Sequence, residues 1–197
     1  MKIASAAALS ALLLASACGG ERLTAEQKTE RAAAAVALFA ETCVAHGGSA
    51  EKISAWAASH AQPLPEKERR ALPLGMMEAD AQAVWTLQRG GAVYYLSLAP
   101  DSCSIKTEQA DDETVRTHFA ALAAAPPQGM AQELRAERAV SSPFPFRQLS
   151  YAWRAAGSSE ETVLTANTSP SPQLPVQAAL YFVRRNLSTQ TVYTPGL

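Results

Sequence analysis

The chain has little of what most enzyme chemistry requires. Its three histidines, His46, His60 and His118, lie far apart and form no His-x-x-x-His pair. No Cys-x-x-Cys occurs either, so neither a metal site nor a bound cofactor is expected. Gly-x-Ser-x-Gly, His-Glu-x-x-His and the glycine loops that cradle phosphate are all missing. An excess of charge is lacking too. Seventeen Lys and Arg stand against 18 Asp and Glu, a formal net charge of −1, with no basic stripe. That balance excludes nucleic acid and anionic headgroups as electrostatic partners. Past the first residues no apolar run reaches the ~20 residues of a membrane-spanning helix.

Two short patterns are present, and each has a plainer explanation. Ser49-Ala50-Glu51-Lys52 has the Ser-x-x-Lys spacing of penicillin-binding proteins, but the Ser-Asp-Asn and Lys-Thr-Gly elements do not accompany it. Ser49 is better read as a helix cap. Asp111-Asp112-Glu113 is a cluster of carboxylates, and acids that open a helix complement its dipole without any acid–base role. His46, just before Gly47, suits a helix C-terminus for the same reason. No catalytic residue is assigned.

What is there begins at the N-terminus. Lys2, the apolar Ile3–Leu14 stretch and the small residues Ala15-Ser16-Ala17 form the three parts of an export signal. Cys18-Gly19-Gly20 follows. This junction resembles the lipobox of bacterial lipoproteins, with Ala15 three before the cysteine where Leu is preferred. The resemblance implies cleavage before Cys18 and acylation of its thiol, hence a membrane partner through the N-terminal lipid. Gly19, where an Asp would retain the protein at the inner membrane, favours the outer membrane, facing the periplasm. The competing reading is an ordinary secretory signal that leaves Cys18 free. Removal of residues 1–17 takes away Lys2 and moves the formal charge to −2. About 180 residues then remain, enough for one domain with its own core.

Cys43 and Cys103 are an even pair in an exported chain, which reads as a disulfide. It would close a loop of about 61 residues, worth ~4 kcal/mol by loop entropy. The alternative is a reactive thiol with His46 or His118 as its base.

Residues 18–27 read as a lipidated tether, and 28–190 as a single domain. Thr24-Ala25-Glu26-Gln27 has capping-box spacing, and Ala32, Val36, Phe39 and Cys43 lie on one face of a helix reaching about Ala45. Gly47-Gly48 stops it. A second helix follows Ser49, with Ile53, Trp56, Ala57 and His60 on one face, and ends before Pro63 and Pro65. Residues 66–82 read as a solvated turn and a loop. The period then becomes two: Val84–Gln88, Ala92–Leu98 and Ser102–Thr107 are strands, with Arg89-Gly90-Gly91 turning the first hairpin. A third helix runs from Asp111 or Asp112 to Ala125. The strands Ala131–Val140, Arg147–Ala156, Glu161–Thr168 and Val176–Arg185 complete the chain. The expected class is therefore α+β: N-terminal helices, then a largely antiparallel sheet with one intervening helix. A division near Pro126–Gly129 into lobes 28–125 and 129–190 is the alternative.

Phe39-x-x-Thr42-Cys43, Trp85 at the head of a strand, and Cys103-x-Ile105 before an acid-led helix bearing Phe119 resemble a family of uncharacterised proteobacterial lipoproteins and periplasmic proteins. The likeness spans roughly residues 36–125 and implies no known activity. Strand aromatics such as Trp85, Tyr95, Tyr151 and Trp153 fit half-buried positions, against a use as a platform for glycan or peptide. In Ser141-Ser142-Pro143-Phe144-Pro145-Phe146, two phenylalanines between prolines either dock on a partner or fold over the sheet edge. The expectation is a lipid-anchored envelope protein that binds or assembles with another envelope protein. A small periplasmic hydrolase and a secreted inhibitor or neutralising protein are the alternatives.

Overall fold

A computed structural model describes residues 23–187. The signal segment and Cys18 lie outside them. The first helix, α1 (Ala25–Phe39), starts where the capping box stands: Thr24 Oγ1 accepts from the Gln27 N–H, and the Gln27 side chain accepts from the Thr24 N–H. Its last turn widens into a π-helix, Ala40–Val44, which carries Cys43 inward. Gly47 and Gly48 both take positive φ and end it. Then come α2 (Ala50–His60), capped by Ser49, a two-residue strand β1 (Gln62–Pro63) and the short α3 (Glu66–Arg69).

The strands β2 (Ala83–Arg89), β3 (Ala92–Ala99) and β4 (Ser102–Thr107) precede α4 (Asp112–Ala123), where Asp111 accepts from the Thr114 N–H. A meander of β5 (Met130–Val140), β6 (Phe146–Ala155), β7 (Glu160–Thr168) and β8 (Ala178–Asn186) follows. All eight strands form one antiparallel sheet in the order β1-β2-β3-β4-β8-β7-β6-β5. The α+β class and the helix-then-sheet order are as the sequence indicates.

The helices α1, α2 and α4 lie on one face of this sheet. Leu96, Ile105, Leu180, Ala166 and Leu149 stand side by side in register across it, beside a second row of Leu98, Cys103, Phe182 and Leu164. Burial of these rows beneath Phe39, Val115 and Phe119 is the main source of stability, at about 25 cal/mol per Å2 of apolar surface. Phe39, Phe119 and Tyr151 form a chain of tilted rings, 6.3 Å between successive centroids. The Cys43–Cys103 disulfide fastens the π-helix to β4 within this layer, with Cα atoms 5.6 Å apart. Both half-cystines are fully buried.

Gly48 shows how closely the pieces fit. Its φ of +67° disfavours any side chain, and a Cβ there would lie 2.6 Å from the Phe182 ring. Gly47 has a similar φ with open space around it. Gly48→Ala should therefore destabilise by about 1–3 kcal/mol, and more than Gly47→Ala. Urea unfolding of the two variants would test this, and equal losses would show that backbone strain alone matters.

Segment 66–82 differs from the solvated loop that its charged start suggests. Beyond α3 it folds over the sheet face opposite the helices. There Met76 is fully buried, and Lys106 on β4 reaches up to meet the segment. The pairing is between residues far apart in the chain, and no local period announces it.

Candidate functional site

The exposed outer edges of the sheet differ in kind. On one side β5 is long and exposed on both faces, but a bulge at Leu134/Ala136 and the charges Glu133, Arg135, Glu137 and Arg138 interrupt it. Those are the devices by which edge strands discourage pairing. Arg135 is held by Glu133 and Glu161, and Glu137 by Arg116.

On the other side β2 is covered only in part. The strand β1 pairs with it at Gln62↔Thr86 and Pro63↔Trp85 and goes no further. The Leu64 N–H donates to the Val84 carbonyl, so the even-numbered residues of β2 direct their backbone groups outward. By that alternation the N–H and C=O of Gln88 face away from β3, beyond the reach of β1. Here α2 leaves a cleft of about 480 Å3 lined by Leu38, Glu41, His46, Trp56, Gln88 and Arg89. A groove of about 900 Å3 continues from it past His60 and Gln88 to Leu64 and Glu68.

Each polar group in the cleft is positioned by the elements behind it. Arg89 sends both terminal nitrogens to Glu41, at 2.9 and 2.7 Å. This fork holds the Glu41 carboxyl below its usual range, against a smaller opposing effect of burial, and raises Arg89. Both partners are roughly half exposed, so the pair fixes geometry more than it stabilises. His60 stacks on Trp56 with ring centroids 4.6 Å apart, and its Nδ1 lies 2.7 Å from the Trp56 carbonyl. A carbonyl can only accept, so that nitrogen is the donor. The Nε2 of His46 is buried without a hydrogen-bond partner among the described residues. The cleft thus offers an apolar floor, an aromatic wall, two imidazoles and an outward-facing backbone edge.

A second polar cluster lies on the opposite face and is closed. Lys106 Nζ donates to the Gly75 carbonyl and forms an ion pair with Glu78 Oε1, both at 2.9 Å, and sits 5.2 Å from the centre of the Tyr181 ring. The Lys106 side chain is 3 % exposed and that of Glu78 14 %. Burial pushes the Glu78 carboxyl up, but the Lys106 charge and hydrogen bond outweigh it and leave it lowered. Burial, with Glu78 nearby, pushes the Tyr181 hydroxyl up to about 12. That phenol stays neutral at any physiological pH. The cluster clasps segment 70–82 to the sheet.

The residues singled out from sequence fall as follows. Cys43 and Cys103 are bonded to each other, so the thiol-nucleophile alternative lacks its nucleophile. Ser49 caps α2, its hydroxyl accepting from the Lys52 N–H at 3.4 Å. Asp111 caps α4, while Asp112 and Glu113 pair with Arg147. His118 is exposed on α4, away from the cleft that His46 and His60 share. Among the described residues no three His, Cys, Asp or Glu side chains converge to hold a metal ion. No described helix is long and apolar enough to cross a membrane. Sequence reasoning missed the Glu41–Arg89 fork and the Lys106–Glu78 pair. The prior signal was slight: Glu41, Arg89 and Lys106 are each the lone charge on their element, while Glu78 lies in a loop.

Comparison with protein-family models, with curated proteins and with solved structures returned no match.

Proposed function

We propose that the protein is a lipid-anchored component of a bacterial envelope, held through Cys18 at the outer membrane and facing the periplasm. Its domain binds an extended segment of another envelope protein, and does no chemistry on it. The observation that carries the binding reading is the open stretch of β2 at Gln88, continuous with the groove beneath α2. An extended peptide can add there as a strand, taking up where β1 stops. Its backbone would bond to Gln88, and its alternate side chains would enter the cleft beside Trp56 and Arg89. The contrast with β5 supports the choice, because that edge is guarded by charge and a bulge whereas this one is not.

A library of random linear peptides displayed on phage and selected on the purified protein tests the reading. Selected peptides should bind at micromolar strength and lose about tenfold or more on Gln88→Pro, equivalent to about 1.4 kcal/mol. Proline is tolerated at an outward-facing edge position but removes the donor that a new strand needs. Trp56→Ala should weaken the same peptides. Failure to select any peptide, or binding indifferent to both substitutions, would sink the proposal. Intact mass of the natively produced protein tests the anchor separately, since an acylated Cys18 adds the mass of its lipid.

A further inference from the structure

The way the chain leaves the fold indicates which end of the domain meets the membrane. Thr107, Ala178, Thr168, Arg147 and Ala139 stand in one register row across five strands and mark one end of the sheet. The first described residue is tied to that end, because the Leu23 N–H donates to Gln109 Oε1, two residues past Thr107. The loops leaving the row are packed together. Ser169 Oγ donates to the Pro145 carbonyl, the Gln177 N–H to the Thr107 carbonyl, and a Cβ on Gly75 would lie 3.8 Å from Val176.

This end is also where apolar side chains are left in the open. Leu74 is 95 % exposed, Val140 51 % and Phe144 36 %, each next to or within one of those loops. Val93 belongs to the same end, since its carbonyl accepts from Thr107 Oγ1. Of the six large apolar residues exposed among the described residues, only Met130 and Leu134 lie elsewhere.

We infer that this end is a membrane-contacting surface, with Leu74 and Phe144 dipping into the lipid headgroup layer. The inference rests on the anchor at Cys18. Five residue steps separate Cys18 from Leu23, and a fully extended chain covers at most about 3.6 Å per step, or about 18 Å in all. An acylated Cys18 sits at the boundary of the hydrocarbon, beneath a headgroup layer about 6 Å deep. The tether therefore holds the Leu23 end within roughly one helix diameter of the bilayer surface. Proline on either side of Phe144 shortens the entropy loss on insertion by stiffening the loop beforehand. The opposite end, at the Gly157–Ser159 turn, then faces the periplasm.

The experiment uses full-length lipidated protein in vesicles of phosphatidylethanolamine and phosphatidylglycerol. With Cys18 acylated and the Cys43–Cys103 bond formed, an introduced cysteine is the one thiol open to labelling. Leu74→Cys, Phe144→Cys and Ser159→Cys would each carry an environment-sensitive fluorophore, with nitroxide-bearing lipids as quenchers. Labels at 74 and 144 should blue-shift and lose most of their emission, while the label at 159 keeps its own. Labels at 74 and 144 as bright as that at 159, on acylated and vesicle-bound protein, would overturn this surface and leave the anchor standing. A mature chain without acyl mass would overturn the anchor and this surface with it.

Discussion

Replacing both Cys43 and Cys103 by Ala should lower the melting temperature by about 8–16 °C. The bond joins residues 60 apart in sequence. By the loop-entropy relation its absence frees the unfolded chain by about 4 kcal/mol. A domain of this size loses about 2–4 °C for each kcal/mol. Two features of the site make the full effect the expected one. Both sulfurs are fully buried, so the double replacement also leaves a small void under Phe39 and Phe182. The bond also holds the π-helix against β4, where the short turn Ala45–Ser49 cannot by itself keep Gly48 against Phe182. Calorimetry of the double variant beside the oxidised parent measures it. A shift of less than about 3 °C would mean that the unfolded chain is already compact around this loop.

Glu78→Gln should destabilise by about 3–5 kcal/mol, because it leaves the Lys106 charge buried with a carbonyl, an amide and the Tyr181 ring to meet it but no opposite charge. Replacing both partners, Glu78→Leu with Lys106→Met, should lose much less, since a buried pair exchanged for apolar groups is often near neutral. Urea unfolding of the single and double variants closes the cycle. Equal losses in the two would show that segment 70–82 is held by Met76 rather than by the ion pair. The same pair sets an acid limb. The folded Glu78 carboxyl titrates below its unfolded value of about 4.3. Its contribution is therefore complete above about pH 4.3 and is lost as pH falls through the lower, folded value. Below that pH the parent's urea midpoint should fall more steeply than that of Glu78→Gln.

Local structure was legible in the sequence wherever a local rule governs it. Thr24, Ser49 and Asp111 name their helix starts because a side-chain oxygen must answer the free N–H groups of the first turn. The strands from Val84 to Thr107 follow from alternation, and the disulfide from the pair Cys43 and Cys103 that remains once Cys18 is set apart behind the expected export signal. What could not be read depends on partners far away in sequence. The placing of β8 beside β4 is one case, and the burial of Met76 and Glu78 another. Arg89 meets Glu41 across 48 residues, and a lone charge on each element does not name its partner. The cleft is therefore invisible until the sheet is assembled. His46 could be placed at a helix end from Gly47 alone, but its place on a cleft wall could not.

The strand order carries a consequence for how the chain is made. Among the described residues the last strand, β8, lies in the middle of the sheet and supplies the only ladder between β1–β4 and β5–β7. During synthesis the two halves exist first as separate ribbons, with β4 and β7 each presenting a bare hydrogen-bonding edge. Until residues 178–186 have emerged, only the packing of α1 and α4 against both ribbons joins them. A ribosome that stops early, or a protease that trims the end, would leave β4 and β7 as two sticky edges in place of a continuous sheet. On the proposed envelope location, export of the chain before that final strand can insert would keep it threadable, and would delay completion of the fold until it reaches a compartment that can also close Cys43 onto Cys103.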